Sequence, residues 1–517
     1  MRKPTTVEPP TPDTIWFRRQ IVEHMPEPLS PLFEDLYIRQ GLGKALDILL
    51  EALGELGDTK FDIHAMMPHG FADTINGYAY TTGSFKMSGS NLIAILRIYT
   101  RIPRFLKMRA FDWDSVVLPG YLNLIASWDG LDLTTASDKE LLQGIGELAA
   151  GDSVYWFGSA VNLGLARMSD PVFDRVLKSS LVGYVLPSKY RASPAFLRGF
   201  DSRVLDAQAD LERLAAVIRE STGLRELVIR TQADQLLAAL SGHPEGQPIL
   251  DRIALYLGEY GHQIYNLDFA DPTQNEDPLP ILVTLKSLVE VVPDPDVRTR
   301  QAQMVAEREA LVAGTRRTLN PLSRRIFDWT WKLAKRYAPY RESVMFYMGA
   351  AWPTARRLAA ELGQRLTEAG SLPDPQAIYF LKGAEIEQAI EARAKGQGLP
   401  ELAVRAEERR ELREARKQLA PPPRVPERGT LKFGPISMAM FDPSPRQPSE
   451  TGPVFKGHPV SRGVVTAPAS LIRTIKDFTR MQPGTNRPAR VGSTKVTSCG
   501  LALVMHKARG RPAQSAI

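Results

Sequence analysis

The chain's 517 residues carry a formal charge of +7 and one cysteine, Cys499, a length that holds about two to four domains. Apolar residues at 43% and charged residues at 24% belong to a folded globular protein, not to a disordered or fibrous one. One thiol cannot form an intrachain disulfide, and no uncharged apolar run reaches the roughly 18 residues of a spanning helix. A cytoplasmic chain with no membrane partner is therefore expected.

Residues 1–14, MRKPTTVEPPTPDT, are Pro/Thr-rich without an apolar core, so neither a signal peptide nor a folded segment is expected there. Order begins at Trp16. From Pro31 to Gly57, Leu36, Leu42, Ala45, Leu46, Leu49, Leu50 and Leu53 recur mainly at three- and four-residue steps, which predicts an amphipathic helix. The aromatic, Thr-rich piece Ile75 to Thr82 predicts a strand. Asn91 to Met108 reads as a basic helix with Arg97, Arg101, Arg104 and Lys107, broken near Pro103. Snorkelling stems over a buried face, or an interfacial or nucleic-acid helix, would each account for it.

A long helical pattern runs from Asp138 to Leu181, with Ser137 as its cap. Two helices are predicted over Asp201 to Ala239, with a break near Gly223. Gln247 to Tyr260 is a helix that stops at Gly261, and Asp268 to Pro280 is a polar, Pro-rich loop. Further helices are predicted at Leu282 to Val291, Val297 to Leu311, Pro321 to Tyr337 and Glu342 to Glu368, the last ended by Gly370, Pro373 and Pro375. Glu401 to Gln418 is a charged helix with Glu/Arg pairs at neighbouring turns. Beyond Pro421 the composition shifts to a linker.

The last 33 residues, 485–517, hold six Lys/Arg and no Asp or Glu. The basic balance is accordingly read as a property of this tail, and a nucleic-acid partner is not expected. Common chemistry signatures are missing: no GxxxxGK[ST], no GxGxxG after a strand, no HExxH and no CxxC. His64 and His69 are five apart, the wrong step for one helical face. Tyr260-Gly261-His262 is more informative. A glycine breaks a helix there, and His262 and Asp268 follow in a non-periodic loop, where binding residues concentrate. A helix cap with packed loop side chains fits the same residues. Arg341-Glu342 opens a helix, where Glu342 suits the dipole and Arg341 could face an anion; a structural pair is again open.

Four stretches together resemble the family of phosphoenolpyruvate synthase (pyruvate, water dikinase) and rifampicin phosphotransferase, the PEP-utilising enzymes. They are WFRRQIVEHMPEPLSPLFEDL (Trp16 to Leu36), YGHQIYNLDFADPTQNEDP (Tyr260 to Pro278), YRESVMFYMGAAWPTARRLAAELGQRLTEAGSLPDPQAIYFL (Tyr340 to Leu381) and GHPVSRGVVTAPASLIRTIKDFTRMQPG (Gly457 to Gly484). They occur in the family's order. The resemblance implies a mainly α fold: a large helical central domain followed by an incomplete α/β swivelling (phosphohistidine) domain. Its divisions are a disordered N-terminus (1–14), a helical acceptor-binding-like domain (15–420), a Pro-rich linker (421–452), a partial PEP-utilising mobile domain (453–484) and an aberrant basic tail (485–517).

In this family a phosphohistidine on a mobile domain carries a phosphoryl group from an ATP-grasp domain to an acceptor, a role suited to imidazole. The resemblance makes His262, Asp268, Arg341 and Glu342 candidate acceptor-binding residues, the acceptor being pyruvate or a hydroxyl compound. It implies ATP and Mg for the complete system, with none bound by this chain and no metal site. A separate ATP-grasp subunit would supply the nucleotide site, since the chain starts where that domain should have ended. The pattern is lost after Gly484, and His506 does not match the family's histidine motif, so no catalytic residue is assigned and the chain is expected to be inactive alone. A non-catalytic small-molecule-binding module working with separate subunits, and an unrelated helical interaction protein, are the other readings.

Overall fold

The computed structural model describes residues 15–18, 21, 22, 24–57, 70–82, 97, 112–264, 266–292, 295–419, 421–426, 432, 433, 436, 437, 469–472 and 491–494. These residues are mainly helical. The basic helix expected over Asn91 to Met108, apart from Arg97, and His506 lie outside them, as do His64 and His69.

The spine is the helix Asp138–Lys178, 41 residues long, which rises about 60 Å. Ser137 caps it as expected: its side chain accepts from the Glu140 amide while the Glu140 carboxylate takes the Ser137 amide, a reciprocal capping box. The helices Pro321–Tyr337 and Trp352–Glu368 and the run Pro31–Phe33, Glu34–Gly41, Leu42–Gly57 pack against this spine. Within that run Glu34–Gly41 is π-helical, and at Gly41 an added Cβ would meet Ser153 Oγ at 2.6 Å. The main core joins Phe33, Tyr37, Ile145, Leu148, Phe269, Trp352 and Leu358. A second core, Leu211 to Val289, belongs to the helices between Arg203 and Glu290, and a third gathers Phe173, Phe196, Phe327 and Trp331.

Gln247–Tyr260 and Pro321–Tyr337 fall where periodicity placed them. The region after Asp201 differs. It forms three helices where two were expected, Arg203–Glu220, Thr222–Arg230 and Leu236–Ser241; the break near Gly223 falls at Ser221, whose side chain caps the second helix by accepting from Leu224 N. The helix expected from Glu342 to Glu368 is two, Tyr340–Phe346 and Trp352–Glu368. Gly349 between them has φ +74, a conformation that glycine adopts without steric cost. Val297–Thr318 outruns its expected end, and the helices Leu118–Asp129 and Gly383–Ala394 were not anticipated.

A four-stranded antiparallel sheet closes one end, in the order Ala72–Ile75, Tyr78–Thr82, Trp16–Phe17, Arg424–Val425. Asn76 and Gly77, both at positive φ, make the tight hairpin of the first two strands. The linker reading therefore fails at its start, since Arg424–Val425 pairs with Trp16–Phe17. Further on, Ala469–Ile472 pairs in parallel with Val491–Thr494, so a segment of the basic tail shares a ladder with the stretch before Gly484.

The His24 ring stands edge-on to Trp156 of the spine helix at 6.1 Å. Burial pushes its pKa down to about 4. A depressed histidine contributes stability above its unfolded value near 6.5, and that stability is lost as pH falls towards 4. The expected result is a fall in unfolding free energy of up to about 3 kcal/mol across that window, 1.36 kcal/mol per unit. Urea titrations at stepped pH check it, because His24→Leu should flatten the same window.

Candidate functional site

Three of the four candidate residues meet at one short helix, Tyr340–Phe346. Its sequence, YRESVMF, turns Tyr340, Val344 and Phe346 inward and leaves Arg341 and Glu342 exposed. Seven residues are too few to hold a helix in water, so its position depends on what grips it. The grip comes from both ends. Tyr340 Oη donates to the Asp114 carboxylate, and the Tyr340 ring packs on Trp113 with centroids 5.4 Å apart. At the other end Tyr155 Oη donates to Val344 O at 2.9 Å. His262 Nε2 lies 2.7 Å from Phe346 O. Both groups satisfy carbonyls that the helix end leaves without partners.

The turn after this helix is held by Asp152, a carboxylate with 0% exposure in the middle of the spine. It accepts from Tyr121 Oη at 2.5 Å, Tyr37 Oη at 2.9 Å and the Gly349 amide at 2.8 Å. Tyr121 Oη in turn accepts from Ala351 N at 3.0 Å. Burial pushes the Asp152 carboxyl above its ordinary range, opposed by the hydrogen bonds from Tyr121, Gly349 and Tyr37. Asp152 therefore sets the left-handed turn at Gly349 and, through it, the angle of the helix carrying Arg341 and Glu342.

His262 occupies an aromatic corner. Its ring stands edge-on to Phe346 at 4.9 Å, and Tyr256, Tyr260 and Tyr347 complete the cluster. The Arg203 guanidinium lies over the Tyr260 and Phe346 rings at 5.3 and 5.7 Å and pairs with Glu259. Burial lowers the His262 pKa, a contact with the Phe346 carbonyl opposes this, and Arg203 lowers it further. A neutral ring donating from Nε2 to a carbonyl leaves Nδ1 as an acceptor. Gly261 is required here, because an added Cβ would sit 2.2 Å from Asn275 Oδ1 and 2.4 Å from Leu257 O.

Asp268 is elsewhere, in a clamp. It has 0% exposure and accepts from Ser30 N, from Ser30 Oγ at 2.8 Å, from Ala270 N at 2.8 Å and from Arg413 Nη2 at 3.4 Å. Arg413 also pairs with Asp271 at 2.9 Å and donates to Pro28 O at 2.8 Å. Arg356 pins the loop from another side through Glu276 and Phe269 O. Burial raises the Asp268 pKa while Arg413 lowers it. Burial opposes the Arg413 charge, but Asp268 and Asp271 outweigh it and raise its pKa. The loop left open between ligand and packing roles is, at Asp268, a packed junction of the chain's early residues, the loop and the helix Pro400–Arg416.

Asp152, Tyr121, Tyr155 and Arg413 were not singled out from sequence. Asp152 had a signal: it continues the stripe Leu141, Ile145, Leu148, Ala149, so a carboxylate stands on the apolar face of a predicted helix. Among the described residues, no group of three or more His, Cys, Asp or Glu could hold a metal ion, and no helix is long and apolar enough to cross a membrane.

Residues 186–342, a little under a third of the chain, match the family model of the rifampicin phosphotransferase fourth domain. All four candidate residues fall inside that span. No curated protein matches the chain.

Proposed function

We propose that the chain is the acceptor-binding part of a phosphotransferase-like system, with the acceptor meeting the exposed Arg341–Glu342 step. The observation that carries this reading is one of placement. A segment matching a rifampicin phosphotransferase domain ends at Glu342, and the helix opening there is gripped by Asp152, Tyr155 and His262 while its two charged residues face outward. Rigid support under exposed polar groups is how a site fixes a ligand without reorganising.

Arg341 is suited to an anionic oxygen, whether the acceptor's carboxylate or the group being transferred, since its guanidinium offers paired donors. Glu342 is suited to accept the proton of an acceptor hydroxyl as its oxygen bonds to phosphorus and the bond from phosphorus to the donor breaks, the donor keeping that electron pair. His262 supports the far end of the helix, with Nδ1 as a further acceptor. In this reading the phosphoryl donor is held by other residues or another chain, and turnover by the acceptor part alone is not expected.

Titration calorimetry with a hydroxyl acceptor (rifampicin) and a carboxylate acceptor (pyruvate) tests the reading. Arg341→Ala is expected to weaken the bound acceptor by roughly tenfold or more, the scale of one charge-assisted contact. Glu342→Gln should weaken a hydroxyl acceptor less. Both should keep the parent melting temperature, as exposed residues do. Unchanged binding of both acceptors by Arg341→Ala, or no binding by the parent, would sink it.

A further inference from the structure

The positive charge of this chain is not confined to its tail. Residues 311–337 hold seven Lys/Arg and one acidic residue, a net +6 against +7 for the whole chain, and residues 163–200 hold six against two. The structure brings these two segments together, because they build one sub-core from Phe173, Leu177, Phe196, Phe327 and Trp331. Positive charge thus gathers at one end of the folded molecule as well as in the tail, with Arg316, Lys335 and Arg336 paired there to Asp328, Glu309 and Asp112.

Exposed apolar side chains stand on both of these segments. The helix Pro321–Tyr337 buries Phe327, Thr330, Trp331, Ala334 and Tyr337. Its opposite stripe, at three- and four-residue steps, is Leu322, Arg325, Trp329, Lys332 and Arg336. Trp329 is 64% exposed and Leu322 65%. On the spine helix packed against it, Met168 and Val172 are likewise exposed one turn apart, and Tyr184 follows just beyond.

We infer that this end is a docking face for an acidic protein surface. Charge complementarity selects an anionic occupant, and the apolar residues select among the anions. A nucleic-acid backbone would use the cations but leave the exposed Trp329, Leu322 and Met168 without a role. An anionic membrane takes a helix by a broad apolar face, whereas this helix turns that face inward and keeps two apolar residues outside. A second copy would set the Arg325, Lys332 and Arg336 stripe against like charges. Exposed Trp, Tyr and Met among arginines are the composition of a protein–protein hot spot. The inference stands apart from the acceptor reading, since none of these residues is placed at the acceptor.

Photo-crosslinking of the full chain in its own cells tests it, with benzoylphenylalanine installed in place of Leu322 and, as a control, of the exposed Leu255. The expected result is an adduct specific to the Leu322 position, with one protein that mass spectrometry identifies and whose crosslinked peptides are rich in Asp and Glu. That protein, purified, should bind the full chain more tightly at low salt. Trp329→Ala and the pair Arg325→Glu, Lys332→Glu should each weaken binding by about tenfold or more, with the helical circular dichroism and melting temperature of the parent. The inference is overturned by equal labelling at both positions or by no adduct. It is equally overturned by adducts between copies of the chain, by salt-independent binding, or by Trp329-dependent sedimentation with phosphatidylserine vesicles in the absence of any protein adduct.

Discussion

Asp152→Ala is expected to lower the unfolding free energy by at least about 3 kcal/mol, among the largest effects of any single substitution in this chain. The substitution strands three donors in a dry interior, Tyr37 Oη, Tyr121 Oη and the Gly349 amide, and each orphaned buried group costs about 1–3 kcal/mol. Asp152→Asn should cost much less, since an amide keeps an acceptor oxygen for Tyr121 and Gly349. The pH dependence separates the two further. Burial raises the folded pKa of Asp152 above 3.8, so its contribution is most favourable below the unfolded value and is lost as pH rises through the folded one. The asparagine variant should therefore approach the parent's stability at neutral pH and fall behind at acid pH. Guanidinium titrations of the three proteins at acid and neutral pH decide this. A loss under 1 kcal/mol for the alanine variant would mean that the Gly349 turn is held by something other than Asp152.

Arg413→Ala should destabilise by roughly 3–5 kcal/mol at neutral pH, because removing one partner leaves the buried Asp268 carboxylate without its countercharge. Arg413 is the cation that meets both Asp268 and Asp271, and Asp268 has no exposure to water. Asp268 already has a raised pKa, and loss of Arg413 raises it further. Acidification neutralises the stranded carboxyl, so the deficit should shrink as pH falls towards that raised value. The double variant Arg413→Met, Asp268→Asn should recover part of the loss at neutral pH. Urea midpoints for the parent and both variants at two pH values measure it. A deficit that does not change with pH would show that Arg413 acts through packing of its stem and its bond to Pro28 O.

These two clamps show why the site was only partly legible. Gln247–Tyr260, Pro321–Tyr337 and the Ser137 cap depend on local spacing and on hydrogen bonds within three or four residues, so they could be read directly. His262, Arg341 and Glu342 were noticed for the same reason, each standing at a helix boundary. The partners were not readable. Asp268 meets Ser30 and Arg413, and Asp152 meets Tyr37 and Gly349, residues that no local pattern connects. The split at Gly349 was missed because one glycine in a helical pattern costs only about 1 kcal/mol, a penalty that packing can override in either direction.

Sequence alone determined that this chain is mainly helical, where most of its helices lie, and that its polar loop after Tyr260 departs from periodic structure. Those properties follow from short-range dihedral and solvation preferences, which each segment carries with it. Tertiary structure alone decided that Asp268 is buried against Ser30 and Arg413, that Arg424–Val425 joins Trp16–Phe17 in a sheet, and that two distant basic segments share one sub-core. Those outcomes depend on which buried carboxylates find donors and which cations are brought side by side. Such long-range pairings are set by the free energy of the whole packed chain.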